Sequence, residues 1–272
     1  MSSEPTSLEA PNIITLLHHS FPESSAVDFL HYFEVPFFSA LVILGLAVTA
    51  RMSSKNPTII PGKLQNAVEF LVDSLDQFVC GVMGPIGRQF TPFIGTLFLY
   101  ILSMNLIGLV PGMHSPTSSI NTTVALAITV FFYVQYTGIS QLGILGYLGH
   151  LAGSPTMPKG VGSFLILLIS VPFNFVLHTI GEIIKPLSLS VRLFGNIFGE
   201  DALIGQMIVL GVLALSFMGS PVGIPLQLPF YLLGILTSII QAVVFSLLSV
   251  IYIFLMLPHE AEGHHNAVGV PT

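Results

Sequence analysis

Between residues 178 and 201 the chain reads HTIGEIIKPLSLSVRLFGNIFGED, which sets His178, Glu182, Lys185, Arg192, Asn196, Glu200 and Asp201 between strongly apolar flanks. Ionisable groups at membrane depth are costly and rare, and they mark ion or substrate pathways by default. At about 100° per residue, His178, Glu182, Lys185, Arg192, Asn196 and Glu200 fall within an arc of roughly 80° of a helix. Asp201 points about 100° away from Glu200, and Pro186 is expected to kink the helix. One reading is a helix whose polar stripe faces a wet cavity or a charged partner. The other is a short loop outside the membrane, with Glu182 and Lys185 as a solvated i,i+3 pair. Leu187, Leu189, Val191, Leu193, Phe194, Ile197 and Phe198 are apolar beyond what such a loop needs, which favours the helix.

Within the stripe Arg192 differs in kind. A carboxyl, an imidazole or an amine can be neutralised by moving a proton, whereas a guanidinium stays charged. An arginine at membrane depth is therefore a permanent positive charge. It attracts a carboxylate on a partner and repels protons or cations that try to pass. The competing role is a structural ion pair with Glu182 or Glu200. A second, weaker polar line, Ser238, Gln241, Ser249 and Tyr252, recurs at helical spacing near the C-terminus. The serines are read as glue between membrane helices. Gln241 has donors and an acceptor and suits a neutral neighbour for Arg192. His178 and Glu182 are four apart, but no third ligand at suitable spacing accompanies them. Neither a metal nor a cofactor is expected.

The elements that position these groups follow from composition. The chain has 272 residues, 53% hydrophobic and only 7% charged, with mean hydropathy +0.88. Soluble domains carry about 25% charged residues, so this chain cannot cover a water-facing surface. Seven Lys and Arg are too few for nucleic-acid binding. Cys80 is the single cysteine, which excludes an intrachain disulfide. Residues 1–32 form a polar tail without the basic-then-apolar order of a signal peptide, and are expected to be retained on the outer membrane surface.

Apolar runs cover 33–50, 92–110 and 120–136, each close to the ~20 residues a bilayer needs. Segment 61–84 differs. Leu64, Val68, Leu71, Val72, Leu75 and Val79 alternate with Gln65, Glu69, Asp73 and Asp76, the pattern of an amphipathic helix lying in the interface. A Gly-rich linker is expected over 138–162. Residues 163–257 form one apolar territory that hydropathy alone divides into two spans or three, because long helices can tilt. Arg51, Lys55, Lys63 and Arg88 fall between the first and second spans and Lys159 between the third and fourth, while 1–32, 111–119 and 219–229 hold no Lys or Arg. The positive-inside rule places the first and third connections in the cytoplasm and the N-terminus outside.

KPLSLSVRLFGN, from Lys185 to Asn196, closely resembles the signature of the F-type ATP synthase subunit a family. PGKLQNAVEFLVD at 61–73, NLIGLVPG at 105–112, PTSSINTTVALA at 116–127 and Gln241 within LTSIIQAVVFSLLSVIY match in the same order. The likeness covers most of 36–257. It implies an all-α integral membrane protein with five transmembrane helices and one surface helix (61–84). Its last two spans would form a long tilted hairpin (163–257), and 258–272 a cytoplasmic tail. It further implies a non-catalytic stator subunit of a bacterial plasma-membrane ATP synthase, coupling proton or Na⁺ flow to rotation. The partners would be a c-ring with mid-membrane carboxylates, peripheral-stalk b subunits, the rest of the synthase and lipid. Two offset half-channels would reach the ring, separated by Arg192. Asn196, Glu200, Asp201, Gln241, His178, Glu182, Ser119 and Asn121 would line the ion path. In this scheme Asp201 receives the ion from the outer cavity and Glu200 stands nearer the ring, while His178 and Glu182 line the cytoplasmic exit. The sequence departs from the family at Ser119, where many relatives carry an acid, and at Gly234, where some bacterial relatives carry a histidine. Asp201 does match a position that holds Glu or His in relatives. The competing class, a secondary transporter or channel using an intramembrane arginine, would show repeated broken helices. No second copy of KPLSLSVRLFGN exists.

Overall fold

A computed structural model of the chain describes residues 13–20, 25–55, 61–152, 161–216 and 225–257. Among these residues the only regular elements are helices: α1 (Ile13–Ser20), α2 (Ser25–Tyr32), α3 (Glu34–Ser54), α4 (Lys63–Met83), α5 (Thr91–Gly108), α6 (Ile120–Leu151), α7 (Val161–Ser216) and α8 (Leu228–Met256), with short 3-10 turns at Gly84–Gln89 and Pro116–Ser118. Five of them are long and apolar enough to cross a membrane: Glu34–Ser54, Thr91–Gly108, Ile120–Gly149, Ser170–Ala214 and Leu228–Met256. The chain is thus an all-α membrane protein. The 163–257 territory is two spans, and the 178–201 segment is continuous helix. Within the segment read as a polar tail, α1 and α2 are short helices, and Ile13 N–H donates to the Gly112 carbonyl (2.8 Å). The tail 258–272, Lys159 and residues 219–224 lie outside the described residues.

The connection after α6 departs from expectation. Gly-rich 138–162 reads as a linker, yet α6 continues helically to Leu151, broken at Gly143, whose φ of 68° suits a residue without a Cβ. The glycines bend this helix where a linker was expected. Tyr147 packs back across Gly138 at 3.4 Å from where a Cβ would stand.

The 45-residue apolar part of α7 is roughly 68 Å long at 1.5 Å per residue, over twice the ~30 Å hydrocarbon core. It cannot cross perpendicular to the membrane. Pro172 and Pro186 lie inside it without ending it. The core gathers Ile94, Ile101 and Met104 of α5, Ala127 and Val130 of α6, Leu189, Leu193 and Ile197 of α7, and Ala242, Phe245, Val250 and Ile253 of α8. These α7 residues recur every fourth position and seat one face of α7 on the bundle. The opposite face, with Ile180, Ile184, Leu187 and Val191, is exposed. In water an apolar face of this size would be a liability; it suits lipid or a partner helix.

α4 buries only Leu75, Val79 and Met83. Its C-terminal half is tied to α5 by Thr91, which donates to Asp76 (2.7 Å), and to the following turn by Arg88 (3.4 Å from Asp76).

Candidate functional site

α7 and α8 run antiparallel in fixed register. Lys185 lies 5.3 Å over the Tyr252 ring. Three turns further on Asn196 donates to Gln241 Oε1 (2.7 Å), and one turn beyond that Glu200 accepts from Thr237 Oγ1 (2.6 Å). Each step up α7 is matched by a step down α8, as in an antiparallel helix pair with few interruptions. The expected polar stripe therefore forms, but the bundle divides it. Glu182 is buried, Lys185 and Glu200 are half-buried, and His178, Arg192 and Asn196 are exposed.

Arg192 projects from the outward border of α7. Among the described residues no carboxylate comes within ion-pair distance of it, so the structural pair with Glu182 or Glu200 does not form. Cβ atoms built on Gly181, Gly195 or Gly199 would meet nothing within 4 Å. This face is open, and the small residues flanking Arg192 would let another helix approach closely.

Glu182 has partners of its own. Lys185 Nζ donates to its Oε1, Gln135 Nε2 donates to its Oε2 (3.2 Å), and Tyr147 donates to Gln135 Oε1. The i,i+3 pair exists, but inside the bundle and not in solvent. A buried carboxylate needs such donors, since one left unpaired would be strongly destabilising. A cavity of about 360 Å³ opens beside this cluster, lined by Gln135, Tyr147, Thr179 and Glu182 and by the apolar Phe131, Ile139, Leu151 and Ile183. His178 is not among its lining residues. Thr179 Oγ1 is buried with no hydrogen-bond partner among the described residues, a position a water in this cavity can satisfy.

Further along α7, a cavity of about 40 Å³ is bounded by Gly112 and His114 of the loop after α5, Asp201 of α7 and Tyr231 of α8. Glu200, one residue from Asp201, turns between α7 and α8 instead. A Cβ on Gly234 would stand 2.1 Å from Glu200 Oε1. The carboxyl of Glu200 thus occupies the space that a side chain at 234 would fill, which gives the glycine at that departure from the family a physical reason. Ser119 and Asn121 lie at the start of α6. Ser119 is half-buried and its backbone bonds Pro116 and Thr123, Asn121 is exposed, and neither lines this cavity.

Gln241 is buried. Its carbonyl accepts from Asn196, while its Nε2 has no hydrogen-bond partner among the described residues. Ser249 donates to its own helix at Phe245 O (2.8 Å), whereas Ser238 accepts from Asn105 only through its backbone carbonyl (3.5 Å) and its hydroxyl is buried with no hydrogen-bond partner among the described residues. Sequence reasoning missed Gln135, Tyr147, Thr237 and His114 as site neighbours. Nothing in their own spacing pairs them with α7, although His114 is the single titratable residue of 109–119 and so was open to notice.

The sequence model of the family described as ATP synthase A chain matches residues 35–254. ATP synthase subunit a of Protochlamydia amoebophila is 45% identical over 254 residues, 93% of this chain and 91% of that protein. ATP synthase subunit a 3 of Pelobacter propionicus is 37% identical over 79% of this chain and 84% of its own. ATP synthase subunit a of Nitratidesulfovibrio vulgaris is 36% identical over 84% and 86%. With a matched region that contains α7, the open face around Arg192 and all but the last two residues of α8, the chain belongs to the ATP synthase A chain family.

Proposed function

We propose that this chain is the ion-translocating stator subunit of its synthase, with two offset half-channels separated by Arg192. The observation that carries the reading is the placement of two cavities along one helix. The first contains Glu182 and the second Asp201. Arg192 lies between them, ten residues from the one and nine from the other, or about 15 Å and 14 Å along the axis. Neither cavity is lined by Arg192. An ion passing from one to the other through this chain alone would have to cross a fixed positive charge.

The open α7 face beside Arg192, Gly195 and Gly199 is the surface for the c-ring. There the guanidinium holds a passing ring carboxylate in its ionised form and bars a direct leak. An ion reaches the ring through the Asp201 cavity and is passed by Glu200, which stands one step nearer Asn196 and Gln241. After almost a full turn of the ring it leaves past Glu182 and His178. The driving force is about 2.3 kcal/mol per elementary charge per 100 mV, gathered over several ions. The b subunits of the peripheral stalk hold the chain against rotation. Following the basic residues, the Glu182 cavity faces the cytoplasm and the His114 end faces outward in a bacterial plasma membrane.

The test is Arg192→Ala in the assembled complex. ATP-driven ion pumping should be abolished and a passive leak should open, with assembly retained. Coupled pumping near the wild-type rate would overturn the proposal.

A further inference from the structure

The cavity that holds Asp201 contains a second titratable group that the family resemblance does not assign. The loop after α5, residues 109–119, reads LVPGMHSPTSS, with His114 as its one ionisable side chain. The loop is built to hold that imidazole in place. Gly112 turns the chain at φ 86°, Met113 N–H bonds the Val110 carbonyl (2.9 Å), and α1 braces the turn through Ile13 N–H on the Gly112 carbonyl (2.8 Å). Below it, Ser115 donates to the Met104 carbonyl (3.1 Å) and shares a hydrogen bond with Thr117 (2.8 Å), while Thr117 donates to Asn105 (2.7 Å). His114 itself is half-buried, with Nε2 3.1 Å from Ser118 Oγ. A mobile surface histidine would not need this framework.

We propose that His114 is the proton-collecting residue at the mouth of the Asp201 cavity. The inference rests on the reading of that cavity as the outer half-channel. Imidazole suits the task because it accepts a proton on one ring nitrogen and releases one from the other, and because it changes charge near neutral pH. In the relay, neutral His114 takes a proton from bulk water or buffer and becomes imidazolium. It then gives a proton, directly or through one water, to the Asp201 carboxylate. This leaves neutral imidazole and a protonated acid, so the charge balances at each step. The cavity, about 40 Å³, has room for about three waters at ~10–15 Å³ each. The cavity's other titratable groups are Asp201 from α7 and Tyr231 from α8; α1 presents Ile13 to the same turn. An imidazole collector also names the ion, because Na⁺ calls for a shell of oxygen ligands and gains nothing from a proton-carrying ring.

The experiment uses the whole complex in sealed vesicles. Passive proton conduction and ATP-driven pumping are measured from about pH 6 to pH 9 for wild type, His114→Gln, His114→Asn and Asp201→Asn. Both His114 variants keep a hydrogen-bonding group for Ser118, and either one that assembles suffices. The expected result is slower conduction by about tenfold at the alkaline end, where protons are scarce, narrowing towards the acid end. This is smaller than the ~10²–10⁴-fold that a positioned acid–base group supplies, because water still reaches Asp201. Added imidazole on the outer side should restore the rate, which no purely structural defect would allow. Wild-type conduction in both variants at every pH overturns the proposal, as does a pH-independent deficit that imidazole leaves unchanged. Asp201→Asn separates the two levels. If it slows conduction while the His114 variants do not, the half-channel reading stands and the collector falls. If it has no effect, both fall.

Discussion

Gly234→Ala adds one methyl group at the point where α8 meets Glu200. Its Cβ would stand 2.1 Å from Glu200 Oε1, 2.9 Å from Glu200 Cδ and 2.8 Å from Leu109 Cδ2. Non-bonded contact is at roughly 3.5–4 Å, so the carboxyl must withdraw by more than about 1 Å, and Leu109 must turn. The backbone is not blocked, because both obstacles are the ends of side chains. The Glu200 carboxyl then leaves Thr237, whose hydroxyl bonds it at 2.6 Å, at a cost of about 1–3 kcal/mol. That figure matches the usual cost of overpacking, and the two describe the same event, so they do not add. Assembly should survive with a modestly lowered melting temperature in detergent. Transport should suffer more, because a misplacement of about 1 Å in a reacting group can cost on the order of 10²-fold in rate. The assay is ATP-driven pumping in inverted vesicles, normalised to assembled complex. In the double variant Gly234→Ala with Glu200→Asp the carboxyl is shorter by one methylene, about 1.5 Å, and part of the lost rate should return. Wild-type pumping by assembled Gly234→Ala would refute the argument that the position of Glu200 matters. A double variant slower than the single one would refute the steric origin.

Other expectations follow from the same geometry. Glu200→Gln and Asp201→Asn should each slow pumping and together remove most of it, with a displaced pH optimum; an unchanged rate and pH profile in the double variant would mean that ions pass by water alone. Glu182→Ala would leave Lys185 and Gln135 facing an empty site and should destabilise the assembled subunit by about 3 kcal/mol. Glu182→Gln should cost less, and thermal melting of the complex distinguishes the two. In a Cys80→Ser background, cysteines at Ser3 and Gly269 should react with an impermeant reagent from opposite sides of sealed vesicles; labelling of both from one side would contradict five crossings.

Much of this protein was legible in the sequence for simple physical reasons. The first three spans follow from apolar length, because a bilayer forces every backbone group of such a run into helix; that 163–257 holds two more and not three came from the family resemblance, and the helices α7 and α8 bear it out. α4 showed itself by period: Leu75 and Val79, read as part of its apolar stripe, are among the residues it buries. Arg192 stood out because no other side chain keeps its charge at that depth. What the sequence left open was set by α7 packing on its neighbours. Six groups within one narrow arc read as one stripe, yet a helix seated on a bundle divides its circumference. Glu182 turned inward to Gln135 and Lys185, Glu200 turned between helices to Thr237, and Arg192 stayed outside. Which side of that boundary a residue takes depends on partners 37 to 47 positions away, and a local period carries no record of them. Position 234 shows the same limit. Its glycine reads as a missing titratable group until Glu200 is found in the space beside it. His114 and Asp201, on separate elements, line one cavity only because the loop after α5 packs beside Asp201 and Ile204 of α7, a meeting that tertiary packing alone decides.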